Sequence, residues 1–484
     1  MKKIIAFILT LLMLLPMIFS CSKDDGTKDG GTTGAQGTGE SLPVIVENLD
    51  GKVFNVLSTN SATEYAYNNL TEEDMSGGVL QQAVFSRNVA VFERLNASMT
   101  VDNGPTGQTK LMETVRTTYS SGDLVYDFIY GWAPAMTPVS LEGCCATVDK
   151  VSDVIDFSDE WWEDSANKST SINGVSYGIV GDANLHFYES IYVMAYNVDR
   201  ANELGIPNLS QLALDGGWTL EEMNKYAKLG YTDDGLNGSD SIKNEYDRFG
   251  FTTNQIFVST ALLAAGETII DFDKNTNYPT FNGFSDRMIS IYEFIRDSFY
   301  TSNYSFMAQN DSALLSNGLT FHDLFVTGNT LLYAEPMGSF SKLKNSDFEY
   351  SVLPIPKWNA DDEYRSALGQ YVKMFYIPSQ TSDFRTVAIF LDNLNYQSMI
   401  DVTPTYMEEV VSLQRLKNQV SYEVMQNIIL KADKVVSLVL MFNWSDINTN
   451  IQKYACENRG LAALGASLKR SLPSEIEKTL GPKK

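Results

Sequence analysis

The sequence predicts an α/β protein built from mostly parallel sheets with helices on both faces, in more than one lobe. Three observations carry this. Apolar spacing switches repeatedly between the two-residue period of strands and the 3.6-residue period of helices. Strand-like and helix-like segments alternate from Val44 onward, the arrangement that puts crossover helices over parallel strands. The length, 484 residues, exceeds what one hydrophobic core supports and suits two to four domains or lobes.

The elements follow in order. Lys52–Thr59 (KVFNVLST) reads as a strand running into the polar Thr59-Asn60-Ser61. Val79–Asn96 and Thr109–Ser120 have helical spacing, and Asp127–Gly131 (DFIYG) is a short strand followed by Trp132 and Pro134. Thr219-Leu220-Glu221-Glu222 is a capping box, in which hydroxyl and carboxylate each satisfy an orphan N–H of the first turn. It opens a helix with Met223, Tyr226 and Ala227 on one face, and Gly230 stands where a C-cap residue belongs. Ser285 caps a helix whose stripe is Met288, Ile291, Tyr292, Ile295 and Phe299. Late strands are expected at Thr330–Tyr333, Tyr350–Pro354 and Val372–Ile377, and the segment from Tyr406 to about Phe442 is almost wholly helical in pattern. Ligands of parallel sheets bind beyond the carboxyl ends of strands, which points to Asn60, Trp132 and their equivalents.

Composition excludes several functions. Apolar residues are 44% and aromatics 12%, too many for a disordered chain. With 36 Lys+Arg against 60 Asp+Glu the net charge is −24, a field that repels phosphate backbones, so a nucleic acid partner is not expected. Two histidines in the whole chain argue against a His-based metal site. No metal and no cofactor is expected. Gly174–Gly178 fits G-x-S-x-G, but a hydrolase elbow needs a helix after the serine, and Ile179-Val180 continue extended. The Asn173-Gly174 pair instead suits a hairpin turn. Asp271–Asn277 mimics the start of a calcium loop, with Thr276 where glycine belongs and Asn282 where glutamate belongs. A polar hairpin is expected there. No catalytic constellation is expected.

The amino-terminal stretch sets the cellular context. Lys2-Lys3 precede the apolar run Ile4–Phe19, then Ser20 and Cys21, the parts of a secretory signal. Ile18-Phe19-Ser20-Cys21 resembles a bacterial lipobox, which implies that Cys21 is acylated and becomes the mature terminus. Ser22–Pro43 carries six glycines and no aromatic residue, a flexible tether with a reach of roughly 25 Å. Of the remaining Cys144, Cys145 and Cys456, a strained vicinal disulfide is the alternative to buried or partly buried thiols.

Six segments in one order resemble the family 1 extracellular solute-binding proteins, the lipid-tethered receptors of ABC importers. They are Leu124–Trp132 (LVYDFIYGW), Asn173–Val180 (NGVSYGIV) with Ile191–Asn197 (IYVMAYN), and Gly205–Leu229 with its Gly217-Trp218-Thr219 turn. Leu262–Asp273 (LLAAGETIIDFD), Phe325–Phe340 (FVTGNTLLYAEPMGSF) and Tyr350–Lys357 (YSVLPIPK) complete the set. The resemblance implies a two-lobed periplasmic-binding-protein-like fold of type II with a cleft between the lobes. It implies a signal peptide over 1–20, an acylated cysteine and tether over 21–45, lobe I over 46–180 plus 370–408, and lobe II over 181–369 plus 409–484. It further implies a non-enzymatic, monomeric receptor that closes on its ligand and delivers it to membrane permease subunits. Such a receptor sits on the bacterial cell membrane, facing outward, or in the periplasm of a two-membrane cell.

Sugars present flat C–H faces and a rim of hydroxyls, so a receptor needs aromatic plates beside neutral or acidic side chains. Such pairs stand where sheet ends are expected. The candidate ligand contacts are Asn60, Tyr130, Trp132, Glu189, Gln255, Phe257, Phe340, Trp444 and Asp446, with an oligosaccharide as the expected ligand. The alternatives are an exported glycan-active hydrolase, a surface interaction protein, and a receptor for peptide or another small solute.

Overall fold

The computed structural model describes residues 42–59, 70–172, 174–235, 243–276, 278–316, 318–369, 372–437 and 444–481. The signal segment, Cys21, most of the tether and Asn60 lie outside the described residues. Met1–Pro43 and Val44–Lys484 are separate units, and the described strands and helices belong to the second.

Two five-stranded sheets organise Val44–Lys484. Their strands, numbered along the chain, are β1 (Lys52–Ser58), β2 (Ala97–Asp102), β3 (Phe128–Trp132), β4 (Gly178–Ile179), β5 (Tyr192–Asn197), β6 (Phe249–Thr253), β7 (Ser305–Met307), β8 (Thr330–Pro336), β9 (Tyr350–Pro354) and β10 (Lys373–Tyr376). The first sheet has the order β2-β1-β3-β10-β4, the second β9-β5-β8-β6-β7. In each, four strands run in one direction and a single strand, β10 in the first sheet and β5 in the second, runs against them and makes both antiparallel pairings. In the first sheet the antiparallel pairings all run through β10, which enters after the chain has built the second sheet and lies between β3 and β4.

The helices used below are α1 (Val79–Leu95), α2 (Gln108–Ser121), α3 (Leu185–Glu189), α4 (Leu220–Gly230), α5 (Phe257–Ala264), α6 (Asp286–Ile295), α7 (Phe384–Gln397), α8 (Tyr406–Arg415, a π-type helix), α9 (Ile447–Cys456) and α10 (Ala462–Leu480). Strand periodicity explains why the first sheet is covered twice. Phe54, Val56, Phe128, Tyr130 and Phe375 enter one apolar cluster with Phe390 of α7. Their neighbours Leu57, Ile129, Met374 and Tyr376 enter the large cluster that also holds the second sheet. Phe54 and Phe390 stack with ring centroids 4.0 Å apart.

Several expectations meet their physical reasons here. Thr219 caps α4 by accepting from the Glu222 N–H at 3.3 Å, whereas Gly230 is not a left-handed cap. It is the last helical residue, and a Cβ there would lie 2.8 Å from Leu331 and 3.0 Å from the Gly250 backbone. Glycine serves close helix-on-sheet packing instead. The long helix expected from Tyr406 to Phe442 is interrupted. Leu416 turns extended, Asn418 recaps a helix from Gln419 by accepting from the Ser421 N–H, and Asp433–Val435 is a strand pairing with Arg365–Ala367. The segment 438–443 lies outside the described residues. Ser176 is followed by strand β4 rather than a helix, and Ile172 and Val175 bridge across a tight turn with Gly174 at φ 74°. Asp271-Phe272 pairs with Pro279-Thr280 as a hairpin, its turn held by the Asp273 carboxylate. Cys144, Cys145 and Cys456 are thiols, and burial pushes Cys145 up to about 12.

Candidate functional site

The carboxyl edge of the first sheet gathers polar groups around a buried ammonium. β1 ends at Ser58 and passes into Thr59, β3 ends at Trp132, and antiparallel β10 begins at Lys373 directly opposite Trp132. The Lys373 ammonium donates to the Thr59 carbonyl at 2.7 Å and lies 5.0 Å from the Tyr130 ring centroid and 5.7 Å from that of Trp132. Strand alternation dictates this, since Tyr130 and Trp132 are two residues apart and Lys373 pairs across from them on the same face. Lys373 is wholly buried, so ring faces and carbonyl replace part of its lost hydration.

Asn184 ties this edge to the next element. Its carbonyl caps α3 by accepting from the Phe187 N–H at 3.0 Å and also accepts from the Tyr130 hydroxyl at 2.6 Å. Its amide donates to the Lys373 carbonyl at 2.7 Å. Two residues on, His186 is buried, and burial together with the nearby Lys373 charge holds it well below the usual imidazole range. The Ser190 hydroxyl donates to the His186 carbonyl at 2.7 Å and lies 3.2 Å from the ring Nδ1. Ser190 is thus engaged in a helix-type i,i−4 bond and is not poised as a nucleophile.

The second sheet has its own carboxyl edge, where β6 passes into Asn254 and β8 ends at Glu335-Pro336. Asn254 donates its amide to Glu335 Oε1, and Ser339 donates to Oε2 at 3.3 Å. Burial raises Glu335 to about 7 against the lowering effects of Lys342 and Ser339. Helix α3 packs against both β10 and the 337–345 turn that follows β8, so it bridges the two edges. Together these edges gather ring faces, two side-chain amides, one carboxyl group and one ammonium, of which only the Asn254 amide is on a partly exposed residue.

The candidate residues separate on this framework. Tyr130 and Trp132 are brought together at the first edge, and half-buried Gln255 follows Asn254 at the second. Trp444 is 3% exposed, its indole N–H donating to Thr479 Oγ1 at 3.1 Å, and Asp446 is exposed in a left-handed conformation ahead of α9. Three further candidates are packed into the interior. Phe257 packs in a core triad with Phe251 and Phe299, at centroid distances of 4.8 and 6.0 Å. Phe340 is packed by Tyr333 and Tyr350, at 5.8 and 6.4 Å. Both have zero exposure, because the segments that carry them are helical and turn these rings inward. Glu189 is buried in a bidentate ion pair with Arg415 (2.8 and 3.1 Å) and also accepts from the Tyr406 hydroxyl, leaving its carboxylate nothing to offer a ligand. Tandem Trp161 and Trp162 are likewise spoken for, both donating to Asp392 Oδ1 at 2.7 and 3.1 Å.

Sequence reasoning missed Asn184, Lys373, Asn254 and Glu335. Lys373, Asn254 and Glu335 stand at or next to a strand end and Asn184 caps a short helix, and such positions are the signal that would have found them.

No protein-family model and no curated protein matches the chain. Solved structures do. A Xanthomonas citri sugar-binding protein MalE superposes with a TM-score of 0.59 at 12% identity, over 88% of this chain and 98% of that one. A Listeria monocytogenes ABC substrate-binding protein in complex with cycloalternan gives 0.53 at 14%, over 90% and 100%. A galacto-N-biose/lacto-N-biose I-binding protein from Bifidobacterium longum, in complex with lacto-N-biose, gives 0.54 at 9%, over 89% and 98%. The fold is that of the two-lobed ABC solute-binding proteins. Coverage of nearly the whole length of each chain means that both sheets of the solute-binding fold are present.

Proposed function

We propose that the protein is the sugar-binding component of an ABC importer, with an oligosaccharide as ligand. The observation that carries the reading is the pair of polar strand edges bridged by α3, with the Tyr130 and Trp132 rings beside Lys373 on one and Asn254 with Glu335 on the other. Rings suit sugar faces, and amide, carboxyl and ammonium groups suit hydroxyls. The sugar-binding descriptions of proteins with the same fold support the ligand class. Asn60 and Trp444 complete the proposed contact set.

In this reading residues 46–180 with 370–408 form one lobe and 181–369 with 409–484 the other. Crossing segments near Gly178–Tyr188 and Ser366–Lys373 act as hinges. A ligand that contacts both lobes favours the closed state by its differential affinity, and permease subunits respond to closure. Cys21, acylated, anchors the chain to the cell membrane through the tether, and the body works as a monomer without cofactor or chemistry.

The test is a thermal-shift and calorimetric screen of residues 44–484 against mono- and oligosaccharides. A sugar at 100 times its Kd stabilises by about 2.7 kcal/mol. The expected result is a sugar-specific shift, with affinity at least tenfold weaker in Trp132→Ala and Trp444→Ala. Shifts from peptides alone would replace the ligand class. A second reading, glycan hydrolysis, draws on the raised Glu335 carboxyl, a feature of general acids. Products accumulating in the same wells would establish it and end the receptor reading.

A further inference from the structure

A cavity of about 320 Å³ lies away from both strand edges. Its walls come from α5, the hairpin that follows it, the segment 435–437, the first turns of α9, and residues 168–171. None of the candidate sugar contacts lines it. Protein interiors seldom leave voids larger than a water molecule, and this volume falls within the range of small-molecule sites.

The lining defines the chemistry. Leu262, Met288 and Ile451 are buried and aliphatic. Among the described lining residues Phe272, on the hairpin, is the single aromatic, so a sugar ring would find no pair of plates here. Half of the described lining residues are polar or charged, and those that are buried are Ser259, Ser437 and Asn448. Asn448 is 6% exposed, and its Oδ1 is buried with no hydrogen-bond partner. Ser259, 8% exposed, takes a 3.4 Å contact from Gln452, one turn beyond Asn448 on α9. A buried carbonyl oxygen without a donor is unfavourable, and a ligand bringing an N–H or O–H removes that cost. Exposed Lys168 and Asp271, of opposite sign, stand at the rim where the cavity meets solvent. Glu267 also lines the cavity, and Lys168 and Glu267 are each paired outside it, with Asp164 and Arg287, so no unpaired cation among the described lining residues is left to hold an anion.

We propose that this cavity is a second ligand site, for a small uncharged molecule with an aliphatic body and one hydrogen-bond donor directed to Asn448. None of the candidate sugar contacts takes part, so the site would stand if the sugar ligand fell, while its walls come from both proposed lobes, residues 168–171 from one and the rest from the other.

The test uses residues 44–484, which carry every described strand, helix and apolar cluster. Three probes of one length separate the contributions: hexanamide is neutral with a donor, methyl hexanoate is neutral without one, and hexanoate is charged. Calorimetry is expected to show saturable one-to-one binding of hexanamide, with methyl hexanoate at least tenfold weaker and hexanoate weaker still. Ile269→Trp, at a half-buried lining position, is expected to abolish binding while the melting temperature holds. Asn448→Leu is expected to bring hexanamide and the ester to equal affinity. Absence of saturable hexanamide binding would overturn the proposal. So would equal affinity for all three probes in the unmodified protein, or binding that survives Ile269→Trp. The probe series needs no variant, so it decides the matter even where a substitution misfolds.

Discussion

Replacing Arg415 with methionine tests how much of the fold depends on one buried ion pair. Glu189 is 0% exposed and the Arg415 side chain 2%. The substitution removes two charge-assisted bonds, at 2.8 and 3.1 Å, and a third from the guanidinium to the Met337 carbonyl at 3.1 Å. The Tyr406 hydroxyl remains on the carboxylate. Removing one partner of a buried pair costs about 3–5 kcal/mol, most of it the penalty of a stranded charge rather than the worth of the bond. Unfolding entropy of about 2.1 cal/mol/K per residue over roughly 440 residues gives about 0.9 kcal/mol/K. The melting temperature of residues 44–484 should therefore fall by about 3–5 °C, read by scanning calorimetry. The double variant Glu189→Leu with Arg415→Met removes both charges and should recover most of that loss. A drop below about 1 °C in the single variant, or a double variant no better than the single, would refute the reasoning.

Glu335 and Asp182 should make stability fall as pH rises. Burial raises them to about 7 and about 6. Between the unfolded and folded values the native state holds more protons than the unfolded one, so the unfolding free energy declines with pH. Their contribution is full below about pH 4 and lost through pH 6–7. Glu335→Gln and Asp182→Asn together should flatten the melting profile between pH 4.5 and 7.5, and an unchanged slope would discount both assignments. Asn184→Ala removes a helix cap and two further bonds, and should cost about 2–4 kcal/mol in urea denaturation. A cost under about 0.5 kcal/mol would mean that water replaces the amide there. Gly250→Ala places a Cβ 1.7 Å from the Ala227 carbonyl oxygen, so soluble expression should fail or the melting temperature should drop steeply. Wild-type behaviour would show that α4 can lift from the sheet.

The alternation of strands and helices was legible because it is local. Periodicity and caps such as Thr219 and Ser285 act over three or four residues, and both caps accept from the backbone N–H expected of them. The break at Leu416–Asn418 was not legible. The apolar spacing runs on through it, and only the recapping by Asn418 shows where one helix yields to the next. Aromatic residues misled for a related reason. Phe257 and Tyr130 look alike beside polar neighbours, and both are buried, the first in a ring triad on the face of a helix and the second beside Lys373 at a strand end.

By itself the sequence determined the α/β class, the segmentation of the chain, the acidic field that argues against nucleic acid, and the resemblance that anticipated a two-lobed fold. Each follows from composition or from short-range pattern. Tertiary structure alone decided which charged groups pair and which converge. Glu189 meets Arg415 across 226 residues, and the Lys373 ammonium meets the Thr59 carbonyl across 314. Contacts of that separation depend on strand register and on where a chain re-enters a sheet, and neither leaves a local mark on the residues involved.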